Sequence, residues 1–316
     1  MKLTINIVLG LLVTAGLVIF LQTGSRIASA QSFGPHFTAW STPQPAQGQD
    51  LNTTGNELPN SISRDGLSMY FHRINAGTLE DLYVVRRPDT ESPWGLPVRL
   101  PDGINSIYND RTAFPSADGH WLFFASNRPN GFGGFDLYVS WRKHVHDDGG
   151  WELPVNLSTI NSPGFDAGPA LFEDESGIMQ LYFTSTPTVG GPPTMADIYM
   201  SVLGPGGFEP PSKVIELSGP ASDARPYLRK DGREIYFQSN RSGTLSVWTS
   251  TRNSTAEPWA APTLALSPED LGDATVILVT TPVLSWDAKT LFVGVGRASG
   301  NFDDIYVADR ERVGGR

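Results

Sequence analysis

Four carboxylates recur at one place in a repeated pattern: Glu57, Asp110, Asp166 and Asp223. Each follows a polar residue by five positions, namely Asn52, Asn105, Asn161 and Ser218, and a fifth copy carries Val279 instead. Arg111 and Arg225 stand one and two residues after their acids. Converging oxygen ligands would suit Ca²⁺. Carboxylates brought together raise one another's pKa unless a cation or an arginine neutralises them. One protonated and one ionised carboxyl are the apparatus of glycoside hydrolysis, about 5–5.5 Å apart for retention and about 6.5–9.5 Å for inversion. Glu57 as the acid, with Asp110 or Asp166 opposite, is the assignment that chemistry implies. The competing reading is structural: each acid accepts backbone N–H bonds in a loop or pairs with an arginine. Repetition in four copies favours it, because a catalytic group is needed once.

The elements that position these acids follow from the repeat. Turn acids recur at Asp65, Asp118, Asp174, Asp231 and Asp287, at spacings of 53, 56, 57 and 56 residues. A period of this size marks a propeller or a solenoid. Each copy has an inner strand ending at the turn acid, as in Ala113-Phe-Pro-Ser-Ala-Asp118. Asp-Gly between apolar runs signals a tight hairpin. The signal weakens where Asp174 precedes Glu-Ser-Gly177 and where Asp287 precedes Ala288. Second strands read Met69-Tyr-Phe71, Leu122-Phe-Phe124, Leu181-Tyr-Phe183, Ile235-Tyr-Phe237 and Leu291-Phe-Val293. Third strands open on Asp81, Asp136, Asp197, Ser246 and Asp304, where the acids satisfy turn amides. Arg73, Arg128 and Arg241 are natural partners for acids on the same face. Outer strands carry Trp94-Gly-Leu-Pro97, Trp151-Glu-Leu-Pro154, Phe208-Glu-Pro-Pro211 and Trp259-Ala-Ala-Pro262. Proline places them at an edge. The fifth copy lacks its outer strand, and Trp40-Ser-Thr-Pro43 can supply it. The expected fold is therefore all-β: a five-bladed β-propeller whose last blade is closed by an N-terminal strand, removing an exposed edge.

Residues 1–30 read as a signal peptide, with Lys2, an apolar run from Ile7 to Leu21 and Ala28-Ser29-Ala30 as a cleavage signal. Residues 31–39 read as a linker, 40–310 as a single propeller domain and 311–316 as a tail. The chain has no cysteine, so it carries no disulfide. Without the leader, 33 acidic residues face 21 basic ones. That balance argues against nucleic acid and anionic lipid as partners. A monomeric periplasmic or secreted bacterial protein, with no membrane span once the leader is removed, is the expectation. The cluster His144-Val-His146-Asp147-Asp148 could ligate a transition metal, but its place between Trp141 and Trp151 makes it a solvated loop.

Phe114-Pro-Ser-Ala-Asp-Gly119, Phe124-Ala-Ser-Asn-Arg128 and Gly134-Phe-Asp-Leu-Tyr138 together resemble the TolB-type, WD-like β-propeller repeat of exported bacterial proteins. The resemblance covers nearly all of residues 40–310. It departs in having five repeats rather than six and no separate α/β domain before them. It implies binding rather than catalysis. The leading expectation is therefore a non-catalytic module, without an obligatory cofactor. It would bind an envelope protein, a peptide or a glycan at one channel mouth through Glu57, Asp110, Arg111, Asp166, Asp223 and Arg225. The alternative is a glycoside hydrolase using central-channel carboxylates.

Overall fold

The computed structural model describes residues 36–74, 79–188, 195–298 and 304–314. The leader and its cleavage signal lie outside them. Among the described residues no helix is long and apolar enough to cross a membrane.

Each repeat forms one antiparallel sheet, and five such blades make the propeller. The inner strands are Asn56–Ile62, Asp110–Pro115, Phe165–Glu173, Asp223–Leu228 and Val276–Leu284 in blades 1 to 5. The second strands are Ser68–Ile74, Trp121–Ser126, Met179–Thr186, Glu234–Ser239 and Thr290–Arg297. All five apolar triplets named above lie on them and are buried. They fill cores between neighbouring blades; Tyr70, Phe124, Tyr138 and Trp151 pack between blades 1 and 2, and Tyr182, Phe237 and Trp259 between blades 3 and 4. Burying short β-prone runs on both faces is what fixes blade against blade.

The turn motif has a local cause. Asp65 Oδ1 accepts from Ser63 Oγ at 2.5 Å and from the Leu67 amide at 2.9 Å. Asp118 and Asp287 take the same two bonds, from Ser116 and His120 and from Ser285 and Lys289. The residue after the acid must enter the left-handed region, where Gly66 and Gly119 sit at φ 74° and 75°. Blade 5 places Ala288 there at φ 62°, a conformation that costs an L side chain energy.

A second unit recurs at the rim. The guanidinium of Arg87 lies 4.3 Å over the Trp94 ring, Arg142 4.2 Å over Trp151 and Arg252 4.2 Å over Trp259. In blade 5, Arg310 lies 4.4 Å over Trp40, so an N-terminal tryptophan takes the outer-strand place. Gln44 and Pro45 pair with Val307 and Tyr306 in the same blade. Strand pairing also reaches past the expected domain limits. His36–Phe37, expected in a linker, pairs with Arg312–Val313, expected in a tail. The reason is Arg310, which stacks 3.9 Å over Phe37 as well as over Trp40.

Arg310 also forks onto Glu234, both Nη atoms at 2.9 Å from the carboxylate, and Arg229 joins at 2.8 Å. All three side chains are buried. Burial pushes the Glu234 carboxyl up, but the guanidiniums of Arg310 and Arg229 overcome it and hold the pKa below the usual range. Arg310→Ala should therefore cost about 3–5 kcal/mol of unfolding free energy in a denaturant melt, because buried Glu234 keeps only Arg229 as a counter-charge and the rings of Phe37 and Trp40 lose their cover. Arg99→Ala, which breaks exposed pairs with Asp81 and Asp102, should cost less than about 1 kcal/mol. The contribution of Glu234 is complete above its unfolded pKa of about 4.3. It is lost as pH falls through the lower folded value, so the difference between wild type and Glu234→Gln should shrink on acidification.

Candidate functional site

The repeated carboxylates come first, because the sequence singles them out. Glu57, Asp110, Asp166 and Asp223 are all fully buried. Asp110 accepts from the Ser106 amide at 2.6 Å, the Ser106 hydroxyl at 2.8 Å and Arg128 Nη2 at 2.8 Å. Glu57 accepts from Thr53 Oγ1 at 2.5 Å and Arg73 Nε at 2.7 Å. Asp223 accepts from the Gly219 amide at 2.9 Å and from Arg241. The polar residue five places earlier pins the preceding blade. Asn105 exchanges bonds with the Leu82 backbone, Asn161 with Leu137 and Asn52 with Ile305. The polar-x₄-acid pattern is thus the inter-blade joint: one side chain reaches back and the next folds the loop. Arg128 and Arg241 then stack on Phe124 and Tyr138 and on Phe237 and Trp248. Glu57, the expected acid of a hydrolase pair, is committed to such a joint.

Asp166 departs from its three counterparts. Ser162 donates to Oδ2 from its amide at 2.6 Å and its hydroxyl at 2.8 Å. Pro187 stands two residues beyond its strand partner Ser185, where Arg128 and Arg241 stand beyond Ser126 and Ser239. Oδ1 is buried with no hydrogen-bond partner among the described residues. Burial, with a smaller push from Asp136, raises the pKa of this carboxyl, and the hydroxyls of Ser185 and Ser162 offset it in part.

The bore of the channel is lined one step further along the inner strands. Each inner strand bulges there, and Thr112, Gly168, Arg225 and Thr281 adopt φ of 59°, 63°, 57° and 45°. The turned amides reach the neighbouring blade: Gly168 N–H to Thr112 Oγ1, Arg225 N–H to Thr184 Oγ1, Thr281 N–H to Gln238 Oε1. With Asn60 and four prolines these residues enclose only about 20 Å³. That holds about one water, so the bore is shut at this level.

Above the bore the repeat is broken by single polar residues. Arg111 occupies the position of Leu58, Ala167, Ala224 and Thr280 in the other blades, and Arg225 that of Pro59, Thr112, Gly168 and Thr281. His72 pairs with Leu58 on the next strand and bonds Asn60 at 2.9 Å through Nδ1. Burial, then the charges of Arg225 and Arg111, hold its pKa well below the ordinary imidazole value. The two predicted arginines therefore act on one neutral histidine. Arg111 ion-pairs with Glu80 and lies 4.2 Å over the Phe135 ring. Phe135 meets Phe165 at 5.4 Å, and Phe165 precedes Asp166. Glu80 Oε2 and Arg111 Nε are both buried without a partner among the described residues. Sequence reading missed Glu80 and His72. Their signal is that they do not repeat: the residues before the third-strand acid positions are Glu80, Phe135, Ala196 and Leu245 in blades 1 to 4.

The other expected groups are accounted for locally. Asp81 pairs with Arg99, Asp197 with Lys213 and Asp304 with Arg297, and Asp136 binds the amides of Phe132 and Gly133. The His144–Asp148 loop is held by Asp148, which bridges Arg86 and Arg142. Among the described residues no three histidines or carboxylates are grouped to hold a metal ion, Ca²⁺ included.

No family model matches this chain, and no curated protein does. Solved structures do. A thermostable family-43 glycoside hydrolase superposes with a TM-score of 0.57 at 12% identity, over 86% of this chain and 93% of its own. An endo-arabinase from Bacteroides thetaiotaomicron VPI-5482 gives 0.53 at 15%, over 89% and 99%. An alpha-L-arabinofuranosidase from Lactobacillus brevis gives 0.54 at 13%, over 83% and 92%. What they share with this chain is the fold. A TolB structure from Agrobacterium tumefaciens matches at a TM-score of 0.46, too low to carry an argument. The five-bladed propeller stands; membership of the TolB-type family does not follow from it. The expectation of a non-catalytic binding module is corrected. The three solved structures named above with TM-scores over 0.5 are glycoside hydrolases, and at 15% identity or less the likeness shows the fold alone.

The geometry separates Asp166 from the other three acids. Asp110→Asn should lower stability by about 1–3 kcal/mol, because the half-buried Arg128 loses its counter-charge. Asp166→Asn should be neutral or stabilising at pH 7. A carboxyl whose folded pKa is raised is a stability cost once pH exceeds its unfolded value of about 3.9. Paired thermal melts at pH 7 check both.

Proposed function

We propose that the protein is a glycoside hydrolase acting at the channel mouth beside blades 1 to 3. The observation that carries this reading is the break in the repeat on blades 1 to 3: Asp166, a buried carboxyl with a raised pKa and an oxygen without a partner among the described residues, and Glu80, a non-repeated carboxylate held by Arg111. Asp166 keeps its proton to higher pH than an ordinary aspartate, which suits a general acid. Glu80 serves as the base or nucleophile. Water attacks the anomeric carbon, or Glu80 does so first, while Asp166 protonates the leaving oxygen. Arg111 and Arg225 orient the sugar hydroxyls, and neutral His72 accepts or donates a single hydrogen bond. The full-length likeness to arabinan- and arabinofuranoside-cleaving folds supports the class of reaction. On the strength of residues 1–30 we place the activity outside the cytoplasm, where such polysaccharides are met.

A panel of chromogenic furanosides and pyranosides, arabinofuranoside and xyloside first, tests the reading. Turnover is expected, with Glu80→Gln and Asp166→Asn each lowering kcat by about 10²–10⁴. Activity should fall as pH rises through the Asp166 pKa, because the acid must be protonated, and Asp166→Asn should abolish that alkaline limb. Absence of turnover across the panel, or turnover indifferent to both substitutions, overturns the proposal.

A further inference from the structure

The opposite ends of the inner strands carry a second break in the repeat. The residue before each turn acid is Arg64, Ala117, Glu173, Lys230 and Trp286 in blades 1 to 5. All are exposed, as that place in a hairpin requires. Only blade 5 puts a large aromatic there, and Trp286 is 36% exposed. Exposing an indole has no folding advantage. Arg64 of blade 1 lies 5.1 Å from its ring centre and Lys230 of blade 4 lies 5.8 Å from it. Neither cation has an ion-pair partner among the described residues. The two neighbouring blades each place a cation beside the ring.

From Trp286 an open groove of about 1080 Å³ runs across the seam between blades 5 and 1, to Trp94 and the closing segment Gln44–Gln47. Small-molecule sites occupy about 300–1,000 Å³, so this groove suits a chain of units better than a single small ligand. Four cationic and five acidic side chains line it. Several are already committed: Asp65 and Asp287 to their turns, Arg310 to Glu234. With charges near balance there is no field to attract an ion. What remains is an aromatic face with donors and acceptors on both sides, including the exposed amides of Gln44 and Gln47. A neutral polyol fits that pattern. Its C–H face stacks on indole, and its hydroxyls both donate and accept.

We infer that this groove is a second, non-catalytic site that binds a neutral polysaccharide chain, with Trp286 as its stacking platform. It lies at the end of the inner strands away from Glu80 and Asp166, so it holds substrate chains without entering the reaction. The inference stands whether or not the channel mouth hydrolyses glycosides. Affinity electrophoresis of the full chain in gels containing linear arabinan, xylan or polygalacturonate tests it. Retardation by a neutral polysaccharide, insensitive to salt, is expected. Trp286→Ala should raise the apparent Kd about tenfold or more, the loss of one stacked ring. Gln47→Ala, on the far side of the groove, should weaken binding severalfold. Turnover of small glycosides should be unchanged in both variants. No retardation in the neutral gels, or retardation equal in Trp286→Ala, overturns the site. Retardation by polygalacturonate alone, lost at high salt, overturns the neutral ligand class.

Discussion

The structure depends on a buried carboxylate at four of its five blade joints. Where the chain leaves one blade and starts the innermost strand of the next, it passes between two packed sheets. Its backbone N–H groups lose water there and must be bonded from within. A carboxylate two or three bonds rich in acceptors does this in one step. Asp110 turns the loop through Ser106, and Arg128 balances the charge while its flat face covers Phe124 and Tyr138. One residue thus joins electrostatics, loop geometry and the aromatic core. Blade 5 shows that the need can be met otherwise. Val279 replaces the acid, and a longer loop with the short helix Pro268–Leu271 leads into the strand, with Asp273 pairing to Arg297 at 3.6 Å.

Closure imposes the second constraint. A propeller has no end unless its last blade is completed, and an incomplete blade leaves an open edge. The chain solves this by making the N-terminal segment imitate an outer strand, with Trp40 in the place of Trp94, Trp151 and Trp259. Arg310 is the common point. It stacks on Phe37 and Trp40 and forks onto Glu234 of blade 4, so the seam between the chain's two ends is fastened by the same buried network that ties blades 4 and 5. Two-residue backbone pairing at Gln44–Pro45 would hold little by itself.

These constraints explain what was legible in the sequence. Turn acids, apolar triplets and rim tryptophans recur because every blade needs them, so the period exposes the fold. The joint acids recur at the same place in each blade, and their repetition pointed to a structural role while their clustering suggested a ligand ring. The arginine partners were visible two residues beyond Ser126 and Ser239, and the absence of one at Pro187 was visible too. Glu80 and His72 were missed because a search for what recurs passes over single departures, although both stand at positions that are apolar or unrelated in the other blades. The family resemblance drew on the repeated positions alone and so spoke to the fold, while the binding role it implied is the expectation that had to be corrected.

Within a repeat, departures cost stability that symmetry would have retained. Thr112, Arg225 and Thr281 sit in the left-handed region, at about 1–3 kcal/mol each, where Gly168 in blade 3 sits without strain. A glycine at every bulge would relieve that cost, but at position 112 it would remove the hydroxyl that accepts the Gly168 amide. The strained side chains instead face the bore, next to the residues that break the pattern above it. Thr112 and Thr184 accept the bulge amides of the following blade, which locks the wall against the flexing that glycine would allow. A rigid wall is what Arg225 requires if it is to keep its place relative to Arg111 and His72. The strain is therefore best understood as the cost of fixing a polar constellation on an otherwise symmetric ring.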